Sequence, residues 1–157
     1  MAPPFLFDIS TLDIDKIVVP LEEIRKINPQ RHEMEQLSGI LYLNMETATV
    51  IGVKHVTMDD FWVRGHIPGR PLMPGVLMIE AAAQLCSFVT RLKMGEEGFI
   101  GFAKCDDTRF RGIVTPPSSL IVIAQMAEIG RRRAVAKCQG ICKGTLVFES
   151  TITGMAV

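Results

Sequence analysis

Neither sign of charge is in excess in this sequence: 17 Lys and Arg stand against 17 Asp and Glu, a formal net charge of zero. Domains that bind nucleic acid mainly through bulk charge carry a clear basic surplus, so that class of partner is excluded. Also missing is any C-x-x-C pair. The cysteines are Cys86, Cys105, Cys138 and Cys142, and none of His32, His55 and His66 stands at ligand spacing from them. No metal site is therefore expected, and reduced, buried thiols are. The first eight residues contain two prolines and an acid but no Lys or Arg, unlike a signal peptide. The richest apolar run, Val76 to Val89, is interrupted by Glu80, Gln84 and Ser87 and reads as too short and too polar to span a bilayer. These absences together predict a cytoplasmic, soluble chain without membrane insertion.

Repeats, low-complexity tracts and linkers are absent as well, so the 157 residues are expected to form one domain, 1–157, with 1–19 as an N-terminal arm. Nearly half of the residues, 48%, are apolar, enough for a sizeable core. Balanced charge and a mean hydropathy of +0.27 limit colloidal stability, which points to apolar surface buried between subunits.

Pro20 to Ile27 reads as a short helix, with proline and acids in its first turn, stopped by Asn28-Pro29. Residues 38–46 and 49–57 read as two strands rich in Val, Ile and Thr. A loop marked by Gly65, Pro68, Gly69, Pro71, Pro74 and Gly75 follows. The single long helix is expected from Gly75 to about Lys93, some 28 Å at 1.5 Å per residue, with Arg91 and Lys93 in its last turn. Val76, Leu77, Ile79, Ala83, Leu85, Cys86 and Val89 leave it apolar on nearly every side, so other structure must wrap it. Residues 99–105, 108–114, 120–129, 134–142 and 145–153 all read as strands, the last three joined by hairpin turns at Gly130–Arg133 and Lys143-Gly144. A curled antiparallel sheet around one buried helix is the simplest α+β architecture that hides such a helix. This is the hotdog fold.

The chemistry-bearing segment runs from Gly65 to Gln84. Glu80 lies in the second turn of the most apolar helix, where a carboxylate must be paired, protonated or placed at a cavity. Gln84, four residues on, shares its face and is placed to fix its rotamer. His66 precedes the helix in a proline-stiffened loop, which suits an imidazole that must be held in position as a general base. Gly75 and Val76 open the helix, where unsatisfied N–H groups meet the positive end of the dipole and can grip an acyl oxygen. A lone histidine in such a loop is often only a packing residue, and a lone buried glutamate is often half of a structural pair. Both flank one helix start with Gly75 between them, which weighs against the purely structural reading. Base, acid and carbonyl-polarising helix end together suit proton abstraction α to a thioester, with loss of a β-hydroxyl as water.

The run Gly65-His66-Ile67-Pro68-x-x-Pro71-x-Met73-Pro74-Gly75-Val76-Leu77-x-x-Glu80-Ala81-x-Ala83-Gln84 closely resembles the signature of the 3-hydroxyacyl-[acyl-carrier-protein] dehydratases of type II fatty-acid synthesis. The likeness extends through His55-Val-Thr57, Phe61-Trp62, Phe102-Ala103 and Thr108-Arg109-Phe110-Arg111, covering about residues 20 to 153. Glu80 stands where the dehydratase/isomerase branch has Asp, which places the chain with the dehydratase-only branch. The resemblance implies a hotdog homodimer with shared active sites, His66 from one subunit and Glu80 from its partner, and dimers that assemble as a trimer into a hexamer. It implies that His66 takes the C2 proton, Glu80 protonates the departing C3 hydroxyl, and Gly75 with Val76 binds the thioester oxygen. Neither a metal nor an organic cofactor is implied. Met73, Met78, Phe88 and Phe102 are the expected lining of an acyl tunnel. An acyl carrier protein bearing 3-hydroxyacyl chains is the implied partner, with Arg109, Arg111, Arg131, Arg132 and Arg133 as an electropositive docking patch for that acidic protein.

The chain departs from the family pattern outside the three catalytic parts. Ile67 replaces a phenylalanine, and Arg64 stands where a neutral polar residue is common. Pro29-Gln30-Arg31 is what remains of a Pro-His-Arg-x-Pro-Phe segment, and Pro117-Ser118 stands for Gly-Asp. The competing readings are a noncatalytic hotdog subunit that binds acyl chains or scaffolds a partner, and a hotdog thioesterase.

Overall fold

The computed structural model describes residues 1–95 and 99–157. In chain order these form β1 (Val19–Pro20), α1 (Leu21–Ile27), β2 (Gly39–Asn44), β3 (Thr49–Val56), α2 (Gly75–Met94), β4 (Ile100–Phe110), β5 (Ser118–Ile129), β6 (Arg133–Cys142) and β7 (Thr145–Ala156). The strands make one antiparallel sheet in the order β1-β2-β3-β5-β6-β7-β4. Strands β5, β6 and β7 are linked by hairpins, and β3 joins β5 with α2 and β4 lying between them in sequence.

The sheet curls around α2, whose residues Met78, Ala81, Ala82, Leu85, Cys86, Phe88 and Val89 are buried. Each large apolar side chain so buried contributes roughly 1.5–3 kcal/mol. Small Ala81 and Ala82 let the backbone approach the strands. Gly52 on β3 does the same from the sheet side: a Cβ there would meet Leu85 Cδ1 and Leu37 Cδ2, both at 3.1 Å. By length and composition alone α2 reaches the bounds of a membrane-crossing helix, which corrects the reading of this stretch as too short and too polar. The sheet supplies the apolar surroundings that a bilayer would.

The outer face of the sheet has its own smaller core. Ile51, Ile123, Ile141 and Leu146 are covered by Leu6, Phe7, Ile9 and Leu12 of the N-terminal arm. Gln139 on β6 ties the arm down: its Oε1 accepts from Leu6 N at 2.8 Å and its Nε2 donates to Pro4 O at 3.0 Å. A buried carboxamide is thus satisfied by chain backbone, as a β-ladder would do it.

Two expectations need correction. Residues 99–105 and 108–114 do not form separate strands; β4 is one strand ending at Phe110. At Asp106-Asp107 the strand bulges, with Asp107 at φ 50° and the β4–β7 register shifting between Asp106 and Arg109. Of the four cysteines, Cys86, Cys138 and Cys142 are buried, but Cys105 is exposed on β4. Cys86 and Cys138 lie 3.6 Å apart, and that contact together with burial pushes the Cys138 thiol well above its usual range.

Candidate active site

Glu80 sits partly buried in the second turn of α2. Its Oε1 accepts a 2.7 Å hydrogen bond from Gln84 Nε2, the i,i+4 pairing that helical geometry brings onto one face. Gln84 is itself 3% exposed and engages three more groups. Its Nε2 donates to Met34 O at 2.6 Å, its Oε1 accepts from Gln36 N at 2.9 Å, and its backbone carbonyl accepts from Asn28 Nδ2 at 2.8 Å. The rotamer of Glu80 is therefore braced through Gln84 to the segment 28–36 that connects α1 to β2.

That segment is strapped in turn by two arginines. Arg31 donates to the carbonyls of Asn28, Gln30 and Arg25 at 2.7–2.8 Å. Arg25 makes a two-pronged pair with Glu35, at 2.7 and 2.9 Å. The guanidinium holds the Glu35 carboxyl below its ordinary value, and the carboxylate holds Arg25 above its own.

Glu80, Ala83, Gln84, Ser87 and Thr90 form a stripe along α2 and one wall of a cleft of about 150 Å³. The stripe runs for roughly 15 Å at the helical rise. Facing it are Phe99, Ile100 and Phe102, with Ala134 and Ala136 of β6, and Gln30 closes in beside Gln84. Carboxyl and carboxamides thus meet a mainly apolar trough, the setting expected for a polar head on an alkyl chain.

His66 lies on the exposed loop before α2. Its backbone N–H donates to Trp62 O at 2.9 Å, and Trp62 is buried, so the loop is anchored in the core at that point. The far end of the loop is tied by Met73 N donating to Val114 O at 2.9 Å. Nδ1 of His66 lies 2.7 Å from Leu72 O. A carbonyl only accepts, so Nδ1 carries a hydrogen, and in the neutral ring the lone pair is on Nε2, the tautomer a general base needs. Pro74 caps α2 without a side-chain hydrogen bond. Among the described residues no acceptor engages the amides of Gly75 and Val76, and Val76 is exposed.

The sequence-predicted residues separate into groups. Glu80, Gln84 and Phe102 come together at the cleft, while His66 does not line it within one chain. Met73, Met78 and Phe88 are not cleft residues: they are 2–3% exposed in the core around α2, and the two helical ones fall outside the cleft stripe. Gly75 has a packing reason to lack a side chain. A Cβ would meet the ring of Phe110 at 2.8 Å, and that ring stacks on Phe148 at 5.8 Å. The five arginines do not make one patch. Arg109 and Arg111 stand at the end of β4 and Arg131–Arg133 at the β5–β6 hairpin beside its start, roughly 20–26 Å away along the strand. Arg111 is paired with Glu149 through two 3.0 Å bonds, and Arg133 lies 3.8 Å from Glu128.

Gln30, Ala134 and Ala136 are cleft residues that sequence reasoning missed. The alanines carry a legible signal, two small residues on one face of a strand at period two. Gln30 carries one only as a departure from the family pattern.

A family model for the FabA-like domain matches residues 28–151. The chain is 29% identical over 142 residues to the 3-hydroxyacyl-[acyl-carrier-protein] dehydratase FabZ of Xanthomonas campestris pv. campestris, covering 88% of this chain and 93% of that one. It is 29% identical over 140 residues to FabZ of Xanthomonas oryzae pv. oryzae, covering 87% and 92%. Among solved structures, the dehydratase heterocomplex ApeI:P from Xenorhabdus doucetiae is similar at a TM-score of 0.69 and 15% identity, over 85% of this chain and 90% of that one. A hypothetical thioesterase with coenzyme A from Streptococcus pneumoniae is similar at 0.61 and 10% identity, over 87% and 96%. At such identities these two likenesses speak for the hotdog fold alone.

Proposed function

The chain belongs to the FabA-like family, and from that membership we propose that it is a 3-hydroxyacyl-[acyl-carrier-protein] dehydratase, converting (3R)-3-hydroxyacyl thioesters to trans-2-enoyl thioesters in fatty-acid synthesis. The observation that carries this reading is an oriented acid and an oriented base on the two flanks of one helix start. Glu80 is held at an apolar cleft by Gln84, and His66 presents Nε2 because Leu72 O occupies Nδ1.

In the reaction, His66 Nε2 takes the C2 proton and the C2–H electron pair becomes the second bond between C2 and C3. The C3–O bond breaks as Glu80 gives its proton to that oxygen, and water leaves. Charge that builds on the thioester oxygen is met by the Gly75 and Val76 amides and the positive end of α2. Proton return from His66 to Glu80 through solvent restores the starting state.

A homodimer with shared sites supplies what one chain lacks. His66 stands outside the Glu80 cleft, and β4 ends the sheet with Phe102 and Phe110 half exposed. A second copy along that edge would cover this surface and bring its own His66 to the cleft, with three such dimers making the hexamer. At the β5–β6 hairpin, Arg131 borders a groove that shares Thr90, Phe99 and Ile100 with the cleft. An acidic carrier docked on Arg131 and Arg132 would thus stand at the cleft's continuation.

Purified protein given a 3-hydroxyacyl or trans-2-enoyl carrier thioester should interconvert the two. His66→Ala and Glu80→Gln should each lower the rate at least about 100-fold. Undiminished turnover in both variants refutes the reading, and release of a free carrier thiol would identify a thioesterase.

A further inference from the structure

Strand β4 ends the sheet, paired with β7 on one side and open on the other. Its consecutive residues Phe102, Ala103, Lys104 and Cys105 are all exposed. Successive side chains of a strand point to opposite faces, so neither face is covered there. Bulges on an edge strand hinder pairing with a further strand. In β4 the register shifts between Phe102 and Lys104 and again between Asp106 and Arg109. Between these shifts Lys104, Cys105 and Asp106 run regularly, opposite Thr153, Ile152 and Thr151.

The homodimer proposed above, on which this inference rests, lays that edge against its own copy. A two-fold axis normal to the sheet keeps each side chain on its own face, and directly opposed residues share a face. A residue can therefore oppose its own copy or one an even number of positions away, which leaves three centres for the regular stretch. Centred on Lys104, the pairing sets ammonium against ammonium; centred on Asp106, carboxylate against carboxylate. Like charges so opposed are destabilising. Centred on Cys105, it sets Lys104 against the partner's Asp106, twice over. Within one chain the two charges already meet, with Lys104 Nζ 3.0 Å from Asp106 Oδ2, so symmetry closes a ring of four alternating charges.

We propose that β4 pairs with its copy in this register, with the two-fold axis at Cys105. The Phe102 end of one strand then lies beside the Phe110 end of the other, within about 10 Å along the shared ladder. Phe102 lines the Glu80 cleft, and Phe110 packs on Gly75 at the start of α2, the helix that follows the His66 loop. The register thus carries the partner's helix start and its base toward the cleft that lacks them.

Cys105 reports the register, because directly opposed α-carbons stand about 4.5–5.5 Å apart, within the span of a disulfide. Diamide, which takes two electrons and two protons from a pair of thiols, is added to the intact protein, and the chains are separated without reductant. More than about half of the chains should become covalent dimer joined at Cys105. Cys105→Ser should abolish the link, since Cys86, Cys138 and Cys142 are buried. In the Cys105→Ser background, Lys104→Cys or Asp106→Cys alone should link at least about tenfold more slowly, and the two mixed and reassembled should link rapidly. Lys104→Glu should weaken the dimer about tenfold in sedimentation, and Asp106→Lys added to it should restore the affinity. A sedimenting dimer that does not link at Cys105, or that links as fast through Lys104→Cys or Asp106→Cys alone, overturns the register. A protein that sediments only as a monomer overturns the homodimer with it. A dimer linked at Cys105 that turns over no thioester upholds the register and removes the dehydratase reading.

Discussion

The proposed acid and the proposed base of this site are held in opposite ways. Glu80 stands on a buried helix, and its partner Gln84 is tied to Met34, Gln36 and Asn28, residues 48–56 positions away in the chain. His66 stands on an exposed loop and is oriented by neighbours within six residues, Trp62 O and Leu72 O. The acid is therefore positioned by the tertiary structure of a single chain, and the base by its own loop. A group that is locally oriented but left in solvent is half prepared: its tautomer is set, while the dry surroundings that make proton transfer effective must come from elsewhere.

The strongest way to break this comparison is to ask whether the two groups act within one chain. His66→Ala and Glu80→Gln proteins, each inactive, are mixed, dissociated and reassembled. If each site takes its base from one subunit and its acid from the other, half of the dimers are mixed and each of these holds one intact site. About a quarter of the unaltered activity should return. Recovery of nothing, with mixed dimers shown by mass spectrometry, would place both groups in one subunit's site and end the contrast drawn above.

A second prediction sharpens the acid side. Gln84→Leu removes the hub, leaving Gln36 N buried without its acceptor and Met34 O without its donor. The expected cost is about 3 kcal/mol in urea unfolding, together with a fall in kcat, because Glu80 loses its fixed rotamer. Pro71→Ala in the base loop should change stability by less than about 1 kcal/mol, since that loop is exposed and its ties are to backbone. Equal costs at the two positions would show that the loop is as deeply braced as the helix.

What could be read in advance divides along the same line. The Glu80–Gln84 pair was legible because i,i+4 spacing on a helix is a local property, and the wrapped helix because α2 is apolar all round. The rest of the brace was not, since no pattern in residues 28–36 says that Asn28 and Gln36 will meet Gln84. Phe110 against Gly75 was hidden for the same reason, as was Gln139 gripping the N-terminal arm. The continuity of β4 through Asp106-Asp107 was not legible because residues that favour turns also tolerate the left-handed conformation of a bulge. Size and apolarity alone do not say which face of α2 a residue occupies, so they do not separate Met78 and Phe88, which lie in the core, from the residues of the cleft wall. Position on the helix would have separated Ala83 and Ser87, which face the cleft, from Met78, which does not.

The smallest effect concerns pH. Glu35 and Glu149 have carboxyls held below their ordinary value, each by a two-pronged arginine, Arg25 and Arg111 respectively. A carboxyl depressed in the folded state contributes stability that is fully present above its unfolded value, about 4.3 for Glu, and is lost as pH falls through the folded one. Both pairs should thus weaken on the acid side of pH 4.3 and not on the alkaline side. Only Glu35 belongs to the segment that braces Gln84. Lowering the pH, or making Glu35→Gln at neutral pH, should therefore speed hydrogen exchange at the Gln36 amide, whose acceptor is Gln84 Oε1. Glu149→Gln, on β7 beneath the end of β4, should leave that amide protected. Similar exchange at Gln36 in the two variants would mean that the acid-side brace does not depend on its arginine strap, and the difference between the two halves of the site would rest on burial alone.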